Sequence, residues 1–117
     1  GPYLPPLTTR IILFESTVAS MAEYLLGLWP HELEGVHFDV AGLPAGSVSD
    51  EGVDRWQVDH ANRRIVLYRV PIERLTRFHV RDEYHLVLVI ESCVVRAVAE
   101  LIGKDPWDLA PERFRHF

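Results

Sequence analysis

The stretch Glu91-Ser-Cys-Val-Val-Arg-Ala-Val-Ala-Glu-Leu-Ile-Gly-Lys-Asp105 decides how this chain folds. With the residues before it, it sets Leu86, Ile90, Cys93, Val94, Ala97 and Leu101 at three- and four-residue steps, which is one apolar face of a helix. Its valines would also suit a strand, but no Gly or Pro interrupts Arg81 to Ile102, and a run of that length favours helix. Gly103 suits the left-handed residue just past a helix end. Asp105-Pro106 then reads as the N-cap and first-turn proline of a short last helix, Trp107 to about Glu112.

Working upstream, Phe14, Val18, Met21, Leu25 and Leu28 repeat the helical spacing, so a first helix is expected from Thr9, its cap, to Leu28, with Trp29-Pro30 as the stop. The proline-rich residues 1–8 are expected to form an extended arm, leaving 9–117 as a single domain. Val36-His-Phe-Asp-Val40 alternates at period two and predicts a strand with His37 pointing outward. Residues 41–54 read as a loop, and Arg55-Trp-Gln-Val58 as a second short strand. A turn at Asp59-His-Ala-Asn62 leads into Arg63 to Val70, whose run Ile65 to Tyr68 is apolar on both faces, as a central strand requires. Pro71 is expected to end that strand. The expected class is α+β: about three strands packed against two long helices, with a short C-terminal helix.

The formal net charge of −5 argues against nucleic acid as the main partner, because polyanion binding needs a concentrated cationic face. The charge is uneven: residues 1–62 carry two Arg and nine acids, whereas residues 63–117 carry ten Arg or Lys and eight acids. No apolar run of membrane-spanning length stands out, and three prolines in the first ten residues replace the apolar segment of a signal peptide, so no membrane is expected. The single cysteine, Cys93, cannot form an internal disulfide and sits among Val and Ile as a core residue would. A cytoplasmic protein is the expectation.

Six histidines invite a search for a metal site, yet no His-x-His or His-x3-His pair occurs. Asp50, Glu51 and Asp54 miss the spacing of a calcium loop. The chain has no Gly-x-Ser-x-Gly elbow, phosphate-binding glycine loop or dinucleotide fingerprint, which disfavours serine hydrolysis and nucleotide binding.

Three segments resemble the minimal zincin-like metallopeptidase family: a first helix ending in Trp29-Pro-His-Glu-Leu-Glu-Gly-Val-His-Phe-Asp-Val40, the strand Arg64-Ile-Val-Leu-Tyr-Arg69 followed by Val70-Pro71, and the helix closing at Leu101-Ile-Gly103. The resemblance implies a zincin-like fold whose last helix would carry His-Glu-x-x-His-x-x-Gly-x-x-Asp, two His binding zinc and the Glu activating water. Anchored on Gly103, Arg96 and Glu100 stand where the His would be, Ala97 where the Glu would be, and Pro106 at the last ligand. A catalytic zinc needs three protein ligands and a water, and an arginine repels a dication. The resemblance therefore implies an inactive domain without a cofactor, used to bind an unidentified protein or peptide.

Arg96 and Glu100, four apart on one helix face, could pair in the space of the lost metal. Trp56, Tyr68 and Trp107 could line the emptied groove, where an extended peptide could add to a sheet edge. The competing expectation is a metallohydrolase recruiting zinc through His85, Glu100 or Asp108, or through a partner chain.

Overall fold

The computed structural model describes residues 7–45, 54–75 and 83–110. The element order is α1 (Leu7–Leu28), β1 (His37–Ala41), β2 (Trp56–Asp59), β3 (Arg64–Tyr68), α2 (Arg69–Arg74), α3 (Glu83–Ile102) and α4 (Pro106–Leu109). This is the expected α+β arrangement, a three-stranded sheet in the order β1-β3-β2 with β3 central. β1 runs parallel to β3 and β2 antiparallel to it.

The register assigns the two faces of the sheet. Phe38 opposes Ile65 and Val40 opposes Leu67, while Trp56 opposes Leu67 and Val58 opposes Ile65. Opposed residues share a face, so these six side chains form the inner layer. They pack against Phe14, Val18, Met21 and Leu25 of α1 and Ile90, Val94, Ala97 and Val98 of α3. The outer face carries His37, Gln57 and Arg64, all exposed, with Arg64 ion-paired to Asp39. His37 points outward as expected.

α1 begins at Leu7, so Thr9 lies inside the helix and is not its cap; residues 1–6 of the expected arm lie outside the described residues. Thr8–Leu28 also has the length and apolar content of a membrane span, contrary to the sequence expectation. Here its Phe14, Val18, Met21 and Leu25 face fills the core against α3.

Helix α2 was not expected. Pro71 occupies its third position, where the backbone N–H has no intrahelical acceptor to lose, so the proline that closes β3 also fits a first helical turn. Arg69 and Glu73 pair at 3.2 Å across one turn of it.

α3 ends as its sequence predicts. Gly103 takes φ +71, and the Lys104 N–H reaches back to the Ala99 carbonyl at 3.0 Å, the closing bond of a Schellman motif. Asp105 caps α4 by accepting from the Trp107 N–H at 3.2 Å. α4 stops at Leu109, short of the expected Glu112, which lies outside the described residues, as do Arg81, the expected start of α3, and residues 46–53 of the expected loop.

The β2–β3 connection is held from outside. Asp59 accepts from the side chain and backbone of Asn62, which lowers its carboxyl below the ordinary range. Arg63 follows in the left-handed region at φ 51, and its guanidinium donates to the carbonyls of Glu32 and Glu34 in the turn before β1. Gly35 in that turn sits at φ +75.

Candidate functional site

Arg96 and Glu100 both lie on the exposed side of α3, while Ala97 is fully buried in the core. Arg96 Nε donates to Ser92 Oγ at 3.2 Å, and its guanidinium carbon stands 5.9 Å from the centre of the Trp107 ring. The Glu100 carboxylate instead accepts from Trp56 Nε1 at 3.5 Å. The pairing of Arg96 with Glu100 considered from their spacing is thus not formed: one side chain turns back along α3 and over α4, and the other crosses to β2. Glu100 reached a partner 44 positions away in sequence, which no helical spacing signals.

The metal candidates do not converge. His85 is in the first turn of α3 and Glu100 in its last, fifteen residues on, a rise of about 22 Å that no single ion spans. Asp108 is exposed in α4. Among the described residues, no three His, Cys, Asp or Glu side chains are grouped so as to hold a metal ion.

The three aromatic residues considered for a groove are also separated. Trp56 faces α3, whereas Tyr68 belongs to the opposite face, where it is buried and donates to Gln57 Oε1 at 2.7 Å. Trp107 is 54% exposed on α4 and meets Arg96 rather than either of the other two. Of the three, Trp56 lines a hollow.

That hollow lies along β2. It is an open depression of about 450 Å³ lined by Asp54, Arg55, Trp56, Gln57, Val58 and Glu100. The hydrogen bond from the Tyr68 N–H to the Arg55 carbonyl, 2.8 Å, sets the alternation of the antiparallel ladder. Arg55, Gln57 and Asp59 aim their backbone polar groups at β3, so Trp56 and Val58 aim theirs away from it. Among the described residues β2 pairs with β3 alone, leaving two N–H donors and two C=O acceptors on its outer edge beside the hollow. A central β3 already makes β2 an edge strand; which of its backbone groups face outward is set by the register with β3, which local periodicity does not encode.

A further contact ties β2 to the last turn of α3: His60, just past β2, lies 3.3 Å from the Glu100 carbonyl oxygen through Nε2. Cys93 itself is buried, and desolvation pushes its thiol up to about 11 against the opposing pull of Arg55 and Arg96. It is a neutral core group and not a nucleophile.

No protein-family model, curated protein or solved structure matches this chain.

Proposed function

We propose that the domain is a catalytically inactive counterpart of the minimal zincin-like peptidases that binds an extended peptide segment by strand addition along β2. One observation carries the reading: the outward backbone groups of Trp56 and Val58 border an open hollow to which α3 contributes Glu100. A peptide laid antiparallel there would meet two donors and two acceptors in ladder geometry, the usual source of affinity in strand addition.

Hydrolysis is disfavoured by the donor set. Arg96 offers a cation where a zinc ligand would stand, Ala97 offers no base, and Glu100 is engaged with Trp56. A cytoplasmic setting, read from a lone cysteine kept as a thiol, belongs to the same proposal.

The test compares binding of a fluorescein-labelled peptide, Ser-Thr-Val-Thr-Lys-Thr-Val-Thr-Ser, to the wild-type domain and to Val58→Pro. The substitution deletes one outward donor and leaves the β3 ladder intact. Binding that is lost in Val58→Pro supports strand addition, and binding unchanged by it overturns the proposal. One zinc per chain in protein purified without chelator, with cleavage of the peptide, would replace it with the hydrolase reading.

A further inference from the structure

Resting on that strand-addition reading, we infer that the hollow beside β2 selects peptides with a basic side chain at the position paired with Trp56. In an antiparallel ladder the added residue opposite Trp56 would form a hydrogen-bonded pair with it, and paired residues put their side chains on the same face. The face of Trp56 is the inner one, turned to α3. The incoming side chain would therefore descend towards the Glu100 carboxylate, the only contribution α3 makes to the lining.

That carboxylate is exposed and accepts a single long hydrogen bond, 3.5 Å from Trp56 Nε1, so its remaining lone pairs are open to a donor. An ammonium or guanidinium placed there would pair with Glu100 and lie against the indole of Trp56, combining charge and cation–π attraction. An acidic side chain would face a like charge. Of the other charged residues in the lining, Asp54 and Arg55 carry opposite signs and adjoin one another just before β2, so Glu100 gives the hollow its net negative charge, while Arg96 is drawn to Ser92 and Trp107.

The experiment titrates the wild-type domain with the labelled peptide above and with versions carrying Gln or Glu in place of Lys, each also against Glu100→Gln and Glu100→Lys. The wild type should prefer Lys to Glu by roughly fivefold at low salt, as expected of a partly exposed ion pair, and less at high salt. Glu100→Gln should abolish the preference and Glu100→Lys should reverse it. Equal affinity for the three peptides in the wild type, with binding still lost in Val58→Pro, would overturn the basic selection and leave strand addition standing. Binding that ignores both substitutions would overturn both.

Discussion

The indole N–H of Trp29 donates to the carbonyl oxygen of Leu109 at 2.9 Å, tying the residue after α1 to the last residue of α4, 80 positions away. The Lys104 ammonium lies 4.8 Å from the centre of the same ring. The C-terminal end of α1 and the C-terminal end of α4 thus meet on one side chain. Trp29→Phe keeps a ring for Lys104 but leaves the Leu109 carbonyl without its donor. It should lower unfolding stability by about 1 kcal/mol, measured as a shift of the urea midpoint at unchanged slope.

The ladder alternation along β2 makes neighbouring prolines unequal. Gln57 directs its N–H to β3, whereas Val58 directs its N–H outward. Gln57→Pro should break the sheet and cost about 3 kcal/mol or more, while Val58→Pro should cost clearly less, chiefly through lost packing of the half-buried Val58. Equal destabilisation in thermal melts would show that the alternation is reversed or absent.

At the turn between β2 and β3, the left-handed backbone of Arg63 opposes the hydrogen bonds its side chain makes to Glu32 and Glu34. Arg63→Ala loses those bonds and keeps the strain. Arg63→Gly loses the bonds but removes a strain of roughly 1–2 kcal/mol, so the glycine variant should be the more stable of the two. Denaturant titration of both variants checks the order.

Gly35 offers a cleaner measurement of backbone strain, because a β-carbon added there would meet no atom within 4 Å. Only the φ of +75 opposes a side chain. Gly35→Ala should therefore cost about 1–2 kcal/mol with no change in peptide binding, read from paired melting and titration experiments.

The raised thiol of Cys93 has a defined consequence for pH. Its ordinary value is 9.0 and its folded value about 11, so the folded state holds the proton more tightly than the unfolded chain. The stabilisation is complete below pH 9 and is lost as pH rises from 9 towards 11. Relative to Cys93→Ala, the wild type should lose stability across that window, and its thiol should resist alkylation at neutral pH until the protein is unfolded. Rapid alkylation of the native protein would contradict the burial.

What the sequence by itself determined is what short-range patterns encode. Both long helices follow from apolar residues at three- and four-residue steps, the end of α3 from Gly103, and the cap of α4 from Asp105 and Pro106. The central place of β3 follows from Ile65 to Tyr68 being apolar on both faces. α2 was hidden because Pro71 reads equally as the end of a strand and as a residue of a first helical turn. The side-chain partners were decided by tertiary structure alone: Glu100 meets Trp56 rather than Arg96, Tyr68 turns to the face opposite Trp56, and His85 stands a helix length from Glu100. The physical reason is distance along the chain. Helical periodicity and capping act within about four residues, whereas the register of β2 on β3, which turns the backbone groups of Trp56 and Val58 outward, is set by pairing between separate segments.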